Sequence, residues 1–183
     1  SPQSTKAKLV AALMAQRFPH ITWWCPQLPP SPKAAAALIA QGTADWPTQS
    51  MAVIGSSLGG FYATWLAAHK GCKAVLLNPA IHPARDLANY IGEQTAWHDP
   101  AERFYFAPEF VDELQALEVG ALPHPERVWA LIAKGDEVLD WREMTARYPG
   151  SQQVVLEGGD HAISDFVQHL PQLMEFLDLQ PAP

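Results

Sequence analysis

Ser50-Met51-Ala52-Val53-Ile54-Gly55-Ser56-Ser57-Leu58-Gly59-Gly60-Phe61-Tyr62-Ala63-Thr64-Trp65-Leu66-Ala67 is the stretch on which the reading of this chain turns. Its apolar first part has the composition of a buried strand, and its Ala/Leu-rich second part that of a helix. Between them Gly55 to Gly59 set a serine on an abrupt strand-to-helix turn, where the two glycines are expected to remove side chains that would otherwise collide. Ser57 is then presented rather than buried. Its backbone falls at the amino end of a helix, where unpaired N–H groups and the helix dipole favour a developing negative charge. A G-x-S-x-G match arises by chance in roughly 5% of chains of this size, so the remainder of the sequence has to supply a base and an acid.

Composition narrows the possibilities. With 183 residues, 48% of them hydrophobic, the chain suits one domain spanning residues 1–183 with a sizeable core. Twelve Lys and Arg against nineteen Asp and Glu give a net charge of −7, which argues against nucleic acid as a partner. No apolar run approaches the ~20 residues that span a bilayer, and the first residues form no signal-peptide pattern. The expectation is a soluble, cytoplasmic protein without a membrane partner. Cys25 and Cys72 lack C-x-x-C spacing and read as two buried, reduced thiols without a role. His20, His69, His82, His98, His124 and His169 show no metal-ligand spacing and read as loop or surface residues, so no metal is expected.

The chain opens at Ser1-Pro2-Gln3, an N-cap and first-turn proline, and runs into a helix over 6–14. A strand that should precede this helix is missing from the sequence. Residues 21–25 read as a strand, with Trp23 and Trp24 on its opposite sides, and Ser31-Pro32 opens a helix over 33–41. After the elbow helix, residues 73–79 read as a fully apolar strand, as do residues 128–133. A helix over 141–148, a strand over 153–156 and a helix over 165–179 follow. Apolar strands separated by helices predict a mostly parallel sheet covered on both faces. Residues 82–122 interrupt the rhythm with Tyr90, Trp97, Phe104, Tyr105, Phe106 and Phe110 and a helical pattern over 108–117. They read as a short helical cap over the carboxyl edge of the sheet, whose aromatics either wall a substrate pocket or fill an ordinary core.

Lys134-Gly135-Asp136-Glu137 follows one apolar strand directly, and Gly158-Gly159-Asp160-His161 follows the next. Both therefore lie on loops at carboxyl strand ends, as Ser57 does, where open α/β sheets build their sites. A serine hydroxyl is a weak nucleophile; an imidazole must take its proton, and a carboxylate must hold the ring and stabilise the imidazolium. His161 fits the base, although a loop histidine capping a carbonyl is the plain alternative. Asp136 is preferred as the acid over Asp140, which with Glu143 forms a capping-box pattern, and over Asp160, which would have to turn back on its neighbour.

The order Ser57, Asp136, His161, together with Ile54-Gly55-Ser56-Ser57-Leu58-Gly59-Gly60-Phe61-Tyr62-Ala63, Leu77-Asn78-Pro79-Ala80, Gly135-Asp136-Glu137-Val138-Leu139-Asp140 and Gly159-Asp160-His161, resembles the α/β-hydrolase superfamily and, more narrowly, the small bacterial YqiA-like esterases. The resemblance covers nearly the whole chain. It implies cofactor-free hydrolysis of a small carboxylic ester or acyl thioester, with Ser57 as nucleophile, Asp136 as acid, His161 as base and the backbone N–H of Leu58 in the oxyanion hole. Phe104 and Phe106 are the pocket candidates. Members of that family look as if they begin with a strand ending in a His-Gly-Phe type turn that supplies a second oxyanion N–H. The expectation is accordingly that roughly 8–12 residues precede Ser1 and carry that donor. The competing reading is a catalytically silent scaffold of the same fold that holds a small ligand or partner under its cap.

Overall fold

A computed structural model describes residues 1–96 and 99–180, so Trp97 and His98 lie outside the described residues. Thr5–Arg17 (α1) and Pro32–Gly42 (α2) come first, then Ala52–Ser56 (β1), Leu58–Lys70 (α3) and Lys73–Leu77 (β2). Pro83–Leu87 (α4), Gly92–Ala96 (β3), Asp99–Phe106 (β4) and Glu109–Ala116 (α5) occupy the insertion. Val128–Ala133 (β5), Trp141–Arg147 (α6), Gln152–Leu156 (β6) and Leu170–Phe176 (α7) follow.

Strands β1, β2, β5 and β6 lie side by side in that order, and all three pairings are parallel. Alternation along each strand sorts the core into two faces. Val75, Leu77, Trp129 and Leu131 pack with Val10, Met14 and Phe18 around α1 and with Leu173 of α7. Ala74, Leu76, Ala130 and Ile132 pack on the other side with Ala63 and Ala67 of α3 and Met144 of α6. Each fully buried Leu, Ile or Val contributes roughly 1.5–3 kcal/mol, and β5, buried along its whole length, is the centre of this packing. The registers Ser56↔Leu77, Leu77↔Leu131 and Ala133↔Leu156 bring the carboxyl ends of all four strands to one edge.

Several expected boundaries move. The first helix is capped by Ser4, whose hydroxyl accepts from the Ala7 N–H, while Ser1 donates to Gln27 instead. Residues 21–25 form no strand: no described strand lies beside them to complete a ladder, and Trp23 and Trp24 remain about one-third exposed. The Trp24 indole covers Gly42 and tilts against Trp46, and the Ile21 N–H donates to the Phe18 carbonyl at 2.9 Å. The last helix starts as a 3-10 turn, Phe166–His169. Cys72 is buried as expected, but Cys25 is only half-buried.

The insertion is helical at both ends and adds between them a hairpin that the sequence pattern did not suggest. β3 and β4 are antiparallel, with Gly92 opposite Phe106 and Gln94 opposite Phe104. Polar ties among the described residues fasten the insertion to the body. Glu113 of α5 accepts from the Ser31 hydroxyl at 2.7 Å and the Lys33 N–H at 3.0 Å, capping α2. Arg85 of α4 forms a bidentate pair with Glu143 of α6 at 2.7 and 2.9 Å. Arg147 donates to the carbonyls of Val119 and Gly120, each at 2.9 Å.

The glycines of the elbow divide unexpectedly. A Cβ at Gly55 would overlap the Gly59 carbonyl and meet the Ala63 methyl at 2.8 Å. At Gly59, however, a Cβ would meet nothing within 4 Å; the second tight position is Gly60, where it would come within 2.6 Å of the Pro79 Cβ. Gly55→Ala and Gly60→Ala are therefore expected to destabilise the fold by about 1–3 kcal/mol each through overpacking. Gly59→Ala, in open space on a helix, is expected to leave stability unchanged or raise it by up to about 1 kcal/mol. Urea unfolding of the three variants checks the ranking.

Candidate active site

Ser57 is the hinge between β1 and α3, with φ 55° and ψ −123°. For a residue with a Cβ such a conformation costs on the order of 1–3 kcal/mol and persists only where the surroundings enforce it. Here they do. The Ser57 N–H donates to Leu77 O at 3.0 Å, and the Ser57 carbonyl accepts from Gly60 and Ala80, both at 2.9 Å. Leu58 opens α3, and no backbone hydrogen bond among the described residues engages its N–H.

Asp136 sits on the turn that leaves β5. Lys134 donates its N–H to Leu156 O at 3.0 Å and Gly135 to Gly158 O at 3.2 Å, which lays this turn against the loop that leaves β6. The approach is close enough that a Cβ at Gly135 would overlap the Gly159 carbonyl, and Gly159 itself has φ 85°. The two loops are thus held edge to edge, and they bring Asp136 and His161 together. Asp136 Oδ2 lies 2.8 Å from His161 Nδ1, and His161 Nε2 lies 3.0 Å from Ser57 Oγ. An ionised carboxylate can only accept, so the imidazole carries its proton on Nδ1 and leaves Nε2 free to accept from the serine hydroxyl.

The Asp136 carboxylate is fully covered, while the His161 side chain keeps 13% of its surface in solvent. Burial pushes the Asp136 pKa up. The hydrogen bond from His161 and those from the N–H groups of Leu139 and Val138 outweigh it, holding the carboxyl below the usual carboxylate range. Both backbone bonds are made to Oδ1 at 2.8 Å, leaving Oδ2 to the ring.

The competing carboxylates are engaged elsewhere. Asp140 caps α6 by accepting from the Arg142 N–H at 2.9 Å. The expected capping box is only half made, because Glu143 turns to Arg85. Asp160 accepts from the N–H of Ser164 at 2.9 Å and from its hydroxyl. Phe104 and Phe106 lie on one face of β4. Phe106 is buried edge-on against Phe110 with ring centres 5.5 Å apart, and Phe104 is half-buried against the same apolar cluster, which also takes in Leu58.

Two residues to which the sequence pattern assigned no role also hold the site. Asn78, wholly buried at φ 40°, donates to the carbonyls of Asp160 and His161 at 3.0 and 3.2 Å and accepts from the Ala133 N–H at 2.8 Å. Glu137 accepts from the His161 N–H at 2.9 Å. An amide closing an otherwise apolar strand is the only sequence trace of the first.

A parallel sheet with helices on both faces and a serine elbow at its carboxyl edge defines the α/β-hydrolase fold. Solved structures agree. Alpha/beta hydrolase domain-containing protein 10 of mouse superposes with a TM-score of 0.59 at 16% identity, covering 80% of this chain and 70% of its own. An alpha/beta superfamily hydrolase of Oenococcus oeni gives 0.53 at 13% identity over 84% and 77%. Est1E of Butyrivibrio proteoclasticus gives 0.52 at 18% identity over 79% and 65%. The chain belongs to the uncharacterised protein family UPF0227, whose model matches residues 1–178. A UPF0227 protein of Vibrio parahaemolyticus is 25% identical over 125 residues, a match that covers 68% of this chain and 63% of that relative. No helix among the described residues is long and apolar enough to cross a membrane.

The state of Asp136 gives a pH signature. Its carboxyl pKa is depressed in the folded protein, so its contribution to stability is complete above the unfolded value near ~3.9 and is lost as pH falls through the lower folded value. Asp136→Asn is expected to flatten the fall of stability over this acid range. Urea titrations of both proteins at several pH values between neutrality and ~2 measure the difference.

Proposed function

We propose that this protein is a serine hydrolase of carboxylic esters or acyl thioesters working through an acyl-enzyme on Ser57. One observation carries the reading: His161 bridges a buried carboxylate and the hydroxyl of a serine held at positive φ, with 2.8 Å on one side and 3.0 Å on the other. This arrangement costs backbone strain and the burial of a charge. A scaffold that only binds needs neither.

In the proposed cycle His161 Nε2 takes the Ser57 proton as Oγ attacks the acyl carbonyl. The imidazolium is supported by Asp136, whose two N–H partners keep it ionised. The tetrahedral oxyanion accepts from the Leu58 N–H at the amino end of α3, aided by the helix dipole. Collapse breaks the bond to the leaving alkoxide or thiolate, which His161 protonates. Water then attacks the acyl-enzyme, giving its proton to His161, and the reverse collapse frees the acid and restores Ser57. No cofactor enters the cycle.

The substrate is read as a small acyl ester or thioester whose acyl part meets the aromatic cluster of the insertion. Phe104, half-buried on β4, is the candidate for tuning chain length; Phe106 is more deeply packed and its truncation costs about 3–5 kcal/mol of stability as well.

Ser57→Ala is expected to abolish both turnover of an activated short-chain ester and labelling by a fluorophosphonate probe, with the fold intact by circular dichroism. Wild-type activity in that variant would remove Ser57 from the role. Asp136→Asn is expected to lower kcat by about 10⁴-fold, whereas Asp140→Asn costs at most about 0.5–2 kcal/mol of stability from the weakened cap. Steady-state kinetics and melting curves of the two variants separate the roles.

A further inference from the structure

His161 is held by its main chain as well as by its ring. Its carbonyl accepts from Asn78 Nδ2 at 3.2 Å, and its N–H donates to Glu137 Oε2 at 2.9 Å. The two grips come from different places in the fold. Asn78 follows β2, is wholly buried, and with its other end accepts from Ala133 N–H at the close of β5, the strand that leads to Asp136. Glu137 is exposed and directly follows Asp136. Each of the two therefore ties the histidine peptide to the segment carrying the acid.

This matters because the ring is fixed at two atoms only. A loop free to shift would carry Nδ1 and Nε2 off their partners together, and a displacement of about 1 Å in a reacting group can cost on the order of 10²-fold in rate. The bond from Asn78 to the Asp160 carbonyl at 3.0 Å fixes the preceding peptide too, leaving the approach to His161 little freedom. Among the described residues the backbone bonds between the two loops reach only as far as Gly158 and do not include Asp160 or His161.

We propose that Asn78 and Glu137 are positioning residues that clamp the His161 main chain and thereby set its ring between Asp136 and Ser57. The inference rests on the hydrolase reading for its effect on rate but not for its effect on the imidazole. Glu137 acts through its oxygen as an acceptor, not through its charge. Asn78 acts through its NH2 donors, which nothing but an amide at this position provides alongside an acceptor.

The test uses Glu137→Ala, Glu137→Gln and Asn78→Asp in the full chain. Glu137 is exposed, so its variants keep the fold. Glu137→Ala is expected to lower kcat for a small activated ester by tenfold or more, up to about 10²-fold, at unchanged KM. Glu137→Gln, which retains an acceptor oxygen, is expected to restore it. Asn78→Asp keeps the acceptor for Ala133 but offers no hydrogens to the two carbonyls, and is expected to fall at least as far. NMR of the His161 Nδ1–H resonance supplies a second readout, expected to broaden or shift upfield in Glu137→Ala and Asn78→Asp and to hold in Glu137→Gln. Wild-type kcat and an unmoved resonance in Glu137→Ala overturn the clamp, as does a Glu137→Gln variant no better than Glu137→Ala. A wild-type protein inert to esters and to fluorophosphonate, but with the resonance responding as stated, would sink the hydrolase reading and leave the clamp standing.

Discussion

The backbone at Ser57 is the constraint from which the rest follows. A serine at φ 55° does not stay there unaided, and the three main-chain bonds that hold it come from the end of β2, from the first turn of α3 and from the segment after Asn78. Each donor or acceptor is in place only because the strands are in register and α3 lies close on β1. That closeness is set by absent side chains at Gly55 and Gly60. The orientation of the half-buried hydroxyl is thus a product of the parallel sheet: loosen the packing of α3 on β1 and β2, and the turn can relax to an ordinary conformation in which Oγ no longer faces His161.

The second consequence concerns charge. Asp136 has no solvent around its carboxylate, a situation that is unfavourable unless every oxygen is used. Two backbone N–H groups and the imidazole use them. The turn that leaves β5 therefore does two jobs at once, solvating the carboxylate with its own amides and aiming the remaining oxygen at the ring. Asp140, four residues on, shows the contrasting case: a half-exposed carboxylate spent on a helix end, within reach of Arg142.

Much of this was legible in the sequence, because it is written in local patterns. The sheet strands are apolar runs followed by turn residues, and Ser57, Asp136 and His161 each fall just after one. What escaped was what depends on partners. Residues 21–25 have strand composition, but a strand exists only where a neighbour completes it. The hairpin in the insertion alternates exposed polar residues such as Glu93, Thr95 and Arg103 with the half-buried Gln94 and Phe104, a pattern too mixed to stand out from loop. Gly59 fits the motif yet faces open space, whereas Gly60, outside the motif, meets Pro79; only the fold shows which of two adjacent glycines is confined. Asn78 and Glu137 act by gripping peptide groups, and peptide groups carry no letter in a sequence.

The insertion has a topological property of its own. β2 and β5 are hydrogen-bonded neighbours, yet residues 78–127 run between them, so the insertion is the crossover connection of two adjacent strands rather than an appendage. Closing a longer connection costs little, roughly 0.6 kcal/mol for each doubling of its length. The register of β2 on β5 is set by core side chains such as Leu76 and Leu131, none of which belongs to the crossover. Beyond Ala80, whose N–H still holds the Ser57 carbonyl, this stretch of chain can therefore be lengthened, shortened or exchanged over evolutionary time while the strand ends that carry Ser57, Asp136 and His161 stay where they are. Most of that divergence can fall within a single span, which makes the fold modular along the chain although it is continuous in space.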